Sequence, residues 1–139
     1  MRLRQLLIVT ALLVGCVING NAKGYRPAKI YMFGFAASFN DSTVYLTDIQ
    51  TVNAYLVNNR TKFLANREDY SYQLRNYLQS NGLEAYPTCI TMFAENEKDA
   101  TKKYLKLKEH YEKSKKKYSI KSLKDSQFKY TPVEPDQQS

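Results

Sequence analysis

"YMFGFAASFNDSTVYLTD", residues 31–48, starts and ends like a β-strand and breaks in the middle into small and polar residues around two phenylalanines. The run that leads into it, Lys29 to Ala37, is almost unbrokenly apolar, with β-branched and aromatic side chains and one internal glycine. That pattern fits a central strand covered on both faces. Thr43 to Gln50 alternates instead, with Val44 and Leu46 on one side and Tyr45, Thr47 and Ile49 on the other, as a half-buried strand does. Between them Asn40-Asp41-Ser42 is turn chemistry, short side chains that bond to their own backbone. The stretch therefore predicts a β-hairpin, in which Gly34 marks a bulge or a close approach of a neighbouring group.

Outward from the hairpin, residues 51–65 are ambiguous, with Ala54 to Val57 able to form a short strand and "NNRT" a turn. Arg67 to Ser80 is the clearest helix. Asn66 stands where a cap belongs, Asp69 follows three residues later, and Asn81-Gly82 ends it. Tyr70, Leu74, Tyr77 and Leu78 fall at helical spacing and form its buried stripe. After the Tyr86-Pro87 break, Thr88 to Ala94 reads as an apolar strand. A second helix is expected from about Glu97 to Lys117, with Ala100, Tyr104, Leu107, Tyr111 and Tyr118 on its inner side and lysines elsewhere. Gln127 to Thr131 alternates Phe128 and Tyr130 with polar residues and reads as a last strand. The order β-β-α-β-α-β predicts an α/β (α+β) domain, a single small mixed sheet with two helices packed on it.

The first 22 residues read as an export signal and not as fold. Arg2 and Arg4 precede an apolar run from Leu6 to Ile18, and Gly20 and Ala22 offer the small residues of a cleavage site, placing the cut after Ala22. Thirteen apolar residues are too few to span a bilayer core, which needs about 20. Leu13-Val14-Gly15-Cys16 also matches a lipobox, which would make Cys16 a lipidated N-terminus, although Val17 and Ile18 continue the apolar run where lipoproteins turn polar. Either route exports the chain to the periplasm or outer envelope, soluble or lipid-anchored. The resulting division is a signal peptide over 1–22, a linker over 23–28, one domain over 29–131 and a polar tail over 132–139. With Cys16 removed or modified, Cys89 is the remaining thiol, so stability must come from packing and not from an internal disulfide.

Charge is concentrated in one segment. Lys23 to Glu97 holds seven basic and seven acidic residues, whereas Lys98 to Lys129 holds twelve lysines against Asp99, Glu109, Glu112 and Asp125, a net of plus eight. Such a block suits a polyanion such as nucleic acid, anionic lipid headgroups or an anionic envelope polymer, with Lys102, Lys103, Lys106, Lys113 and Lys116 as the candidate face. It contains no arginine, which argues against specific nucleic-acid binding, where base reading relies on arginine's planar fork. The bland counterpart is a solvated face that keeps an exported protein soluble. Tyr72 and Arg75 in "YSYQLR" are further candidate surface contacts, tyrosine offering a flat apolar body with a polar tip. Asp41-Ser42-Thr43 resembles an aspartate-serine/threonine O-glycosylation sequence, with Ser42 as acceptor. Asn40-Asp41-Ser42 and Asn59-Arg60-Thr61 match the N-glycosylation pattern.

Catalytic groups are sparse. Paired carboxylates at Asp41 and Asp48 are separated by seven residues, which puts them on opposite faces if both belong to the strand. Cys89 lies inside an apolar run and His110, the chain's single histidine, lies on the polar side of the lysine helix, so neither has the surroundings that activate a nucleophile. One histidine and one free cysteine do not make a tetrahedral metal site, and no glycine-rich phosphate loop is present, so no metal or cofactor is expected.

The stretches "FGFAASFNDSTVYLTDIQ", "YSYQLRNYL", "TCITMFAE" and "KKYLKLKEHY" together resemble an uncharacterised family of small exported proteins of Bacteroidetes-type bacteria, across nearly all of the mature chain. The resemblance implies export and a compact domain and brings no known activity. The alternation of helices and strands is also similar to peptidoglycan-binding SPOR domains, which begin β-α-β-β where this chain begins β-β-α. The expected role is an exported, non-catalytic binding or structural accessory domain, partnered by an anionic envelope polymer or another envelope protein. The alternative is a small secreted hydrolase with its site in the Ser38–Ser42 loop.

Overall fold

The computed structural model describes residues 24–135; the signal and lipobox readings, and the last four residues of the tail, lie outside them. Its elements are β1 (Tyr25–Ala37), β2 (Thr43–Thr47), β3 (Gln50–Val57), α1 (Arg67–Ser80), β4 (Thr88–Ala94), α2 (Glu97–Glu112) and β5 (Ser119–Leu123). They form one mixed five-stranded sheet with two helices. β1 pairs antiparallel with β4 on one side and with both β2 and β3 on the other, and β5 adds to β2 in parallel. β1 is thus central, as its apolar run implies, with Ile30, Met32, Phe33 and Ala36 fully buried.

β2 and β3 are one long hairpin arm interrupted by a bulge. Phe35 pairs with Leu46 and Met32 with Gln50, so Phe33 and Gly34 face three residues, Thr47 to Ile49. The Thr47 hydroxyl fills the gap: its Oγ1 accepts the Gly34 N–H at 2.8 Å and donates to the Asp48 carbonyl at 3.0 Å. The extra residue also inverts the side-chain alternation beyond it. Ile49 therefore packs with Val44 and Leu46, not opposite them, while Val52, Ala54 and Leu56 join the other face.

Each face of the sheet carries one helix. Tyr70, Leu74 and Leu78 of α1, all fully buried, pack with Ile30, Met32, Val52 and Leu56. Truncating one of those leucines to alanine should cost about 2–5 kcal/mol. On the opposite face Tyr104, Leu107 and Tyr111 of α2 pack on Phe33, Phe35, Val44 and Leu46, with Tyr104 edge-on to Phe33 and Tyr111 stacked on Phe35.

Several further expectations need correction. β1 begins at Tyr25, inside the stretch expected as a linker, because β3 pairs it as far as Val57; Pro27 is tolerated there since β4 stops at Tyr31 and leaves that edge open. Asn66 adopts a left-handed conformation (φ 58°) and its side chain bonds Asp69 without capping a backbone N–H. Asn96 caps α2 in the usual way, accepting from the Asp99 N–H at 2.8 Å. α2 ends at Glu112, before the run Lys113 to Lys117 that holds four lysines in five residues. Tyr118 still meets Tyr111 edge-on, but from the following loop.

A last correction concerns the final strand, which is Ser119–Leu123 and not Gln127–Thr131. Residues 128–133 belong to no strand, and most of their backbone bonds go to side chains, while the Phe128 N–H turns back to the Lys124 carbonyl. Gln50 donates to the Phe128 carbonyl and accepts the Tyr130 N–H, both at 2.8 Å. Gln73 does the same with the backbone carbonyl and N–H of Thr131, and the Tyr70 hydroxyl accepts the Val133 N–H. The start of the expected tail is thereby pinned over α1, with Val133 half-buried in that core.

Candidate functional site

The sheet keeps the expected catalytic groups apart. Asp41 sits at the hairpin tip, where its carboxylate accepts the Thr43 N–H at 2.8 Å. Asp48 lies at the other end of β2, in the bulge, and accepts the Asp125 N–H. The five residues of β2 lie between them, about 17 Å of extended chain. Cys89 faces the α1 side of the sheet, packed with that core, and His110 stands exposed on α2 across the sheet. Burial pushes the Cys89 thiol up from 9.0 to about 11, partly offset by the charge of Arg75, so it is a protonated small hydrophobe at neutral pH. Among the described residues no three His, Cys, Asp or Glu side chains gather as a metal site. Nor is any helix there long and apolar enough to cross a membrane.

The lysine face divides once partners are assigned. The geometry of β4 accounts for Lys103. Because the Gly34 N–H points toward Thr47 on the β2 side, its register partner Thr91 turns its own N–H and carbonyl to the outer edge of the sheet, and Phe93 does likewise. An open strand edge invites another chain. Here Arg67 from α1 donates its Nε to the Thr91 carbonyl at 2.8 Å, and Lys103 from α2 donates its Nζ to the Phe93 carbonyl at 2.9 Å. Both cations also stand over the Phe93 ring, 5.7 and 5.8 Å from its centroid. Lys103 thus closes an edge and is not a free anion contact.

Two more of the candidates are engaged. Lys113 pairs with the Glu109 carboxylate, which holds Glu109 below and Lys113 above their ordinary pKa ranges. Lys116 lies over the Tyr118 ring at 5.4 Å. Lys102 and Lys106 are exposed, one turn apart, and have no bonding partner among the described residues; Lys98 extends their row by one more turn. The outward row of α2 is therefore Lys98, Lys102 and Lys106. Spacing alone could have given this row, but not the engagement of Lys103, which depends on a tertiary contact.

The surface candidates on α1 are also placed. Tyr72 is 65% exposed and Arg75 is exposed one turn further along, close enough to influence Cys89. Ser42 is half-buried at the hairpin turn, where its carbonyl accepts the Ser119 N–H at 2.9 Å. Phe39 in the same turn is 98% exposed. An open groove of about 380 Å³ lies beside it, with Phe35, Ile90, Tyr111 and Lys116 among its walls. Composition signalled the phenylalanines of the break but not which one turns outward. Comparison with known protein families, curated proteins and solved structures finds no match for the chain.

Proposed function

We propose that this is an exported, envelope-associated domain that acts without catalysis, by binding an anionic envelope polymer along the outer face of α2. The row Lys98, Lys102 and Lys106, exposed and unpartnered among the described residues, carries the proposal. Three ammonium groups along one helix face attract a polyanion as point charges, with little selectivity and strong salt dependence. The pattern of residues 1–22 supports export. The separation of Asp41 from Asp48 and of Cys89 from His110 favours this reading over a hydrolase at the Ser38–Ser42 loop.

Retention on an immobilised acidic polysaccharide tests it. The protein should be held at low ionic strength and released as salt rises, while a neutral polysaccharide on the same support does not hold it. Equal behaviour on both supports would reduce the lysine row to a solubilising face.

A further inference from the structure

The end of the sheet where the hairpin turns collects apolar and basic side chains from separate segments. Phe39 projects from the tip almost wholly into solvent, and Ile90 of β4 and Tyr86 just before it are exposed at the same level, since Ala37 pairs with Thr88. The loop from α2 to β5 brings exposed Lys115, Lys116 and Lys117 alongside, Lys116 with its ammonium over the Tyr118 ring. It is fixed there by the bond from Ser119 to Ser42, and Phe39 and Lys116 line one groove. From Lys106 to Lys117 six lysines stand against two glutamates, Glu109 and Glu112. The acids at this end are Asp41, whose carboxylate accepts the Thr43 N–H within the turn, and Glu84 in the loop before β4.

We propose that this end, with Phe39 at its apex and Lys115 to Lys117 beside it, docks on an anionic lipid surface. An exposed phenylalanine at the apex of a turn contributes nothing to the core, and a soluble polyanion offers it no apolar partner. The boundary between headgroups and acyl chains offers both an apolar layer for the ring and negative charge for the lysines. The inference is independent of the α2 row, because it requires Phe39 and that row does not. Removing the ring should weaken docking by at least about tenfold. Neutralising the three lysines should weaken it by roughly a hundredfold.

The chain contains no tryptophan, so Phe39→Trp supplies a single local reporter, and Phe63→Trp supplies a control at the far end of β1, where the Phe63 carbonyl bonds Val57. In the full chain carrying Phe39→Trp, vesicles containing phosphatidylglycerol should shift the indole emission to the blue, and brominated acyl chains should quench it. Pure phosphatidylcholine vesicles should give neither effect. The emission of the Phe63→Trp chain should stay unchanged, and adding Lys115→Gln, Lys116→Gln and Lys117→Gln together to Phe39→Trp should abolish the shift. No shift at position 39, an equal shift at position 63, or the same shift with a soluble polyanion and no lipid would each overturn the proposal.

Discussion

The Tyr130 hydroxyl stands over Gly34, 2.2 Å from where a β-carbon on that glycine would lie. Leu74 Cδ2 closes the same space from α1, 2.7 Å from that point. The glycine in the opening strand therefore answers to a residue 96 positions later, and it does so opposite the bulge where Thr47 completes its hydrogen bond. The hydroxyl itself is enclosed without a closed hydrogen bond, with the Thr91 side chain as a polar neighbour.

Gly34→Ala is accordingly expected to lose about 1–3 kcal/mol through overpacking. Tyr130→Phe should be close to neutral, because it removes a buried hydroxyl that forms no bond, and it should recover part of the loss when combined with Gly34→Ala. Urea unfolding of the two single variants and the double variant measures this. Strict additivity would show that the hydroxyl is not what excludes a side chain at position 34.

Gln50 supplies the partner that a strand would give to residues 128 and 130. Gln50→Leu removes both bonds and leaves two backbone groups without them, at a cost of about 2–4 kcal/mol. Hydrogen exchange at the Tyr130 amide should accelerate in that variant more than exchange in α1. Gln73→Leu, whose bonds to Thr131 are exposed, should cost less.

These two glutamines also explain what the sequence concealed. Phe128 and Tyr130 alternate as strand residues do, and both are buried, but the Phe128 carbonyl and the Tyr130 N–H bond a side chain distant in sequence, while the Phe128 N–H turns back to the Lys124 carbonyl. The true last strand, "SIKSL", has a single buried residue, Leu123, and little apolar signal of its own. Arg67–Ser80 and Thr88–Ala94 were legible because each carries its own signals: a helical stripe with an Asn-Gly stop, and an apolar run after Tyr-Pro. The candidate site was legible as a lysine block. Which lysines are free depends on Phe93, Glu109 and Tyr118, each met only in the folded chain.

Alkaline pH should ionise the Cys89 thiol, which is half-buried against the α1 core. Cys89 has a folded pKa of about 11 against 9.0 ordinarily, so its contribution to stability is full below pH 9 and is lost as pH rises from there through 11. Burial raises the Tyr130 hydroxyl as well, which adds a further loss beginning near its ordinary 10.0. Cys89→Ala should flatten the first part of this limb, and thiol labelling of the native protein at neutral pH should be slow. Fast labelling would point to an activated cysteine.

The outer edge of β4 is guarded by Arg67 and Lys103. Replacing both with alanine should leave the monomer folded at low concentration and promote self-association as concentration rises, since the Thr91 and Phe93 carbonyls are then open to another chain. Sedimentation velocity over a concentration series reads this out. A double variant that stays monomeric throughout would show that the edge is closed by other means.

The most direct test of the binding role compares lysines that the fold leaves free with one that it uses. Affinity for an acidic polysaccharide should fall at least about fivefold in Lys102→Gln, Lys106→Gln, at about 1 kcal/mol or more for two lost contacts, with unfolding unchanged. Lys103→Gln should lower stability and leave affinity near that of the parent chain. Equal affinity in all three proteins, independent of salt, would contradict the assignment of the outer face of α2 as the binding surface.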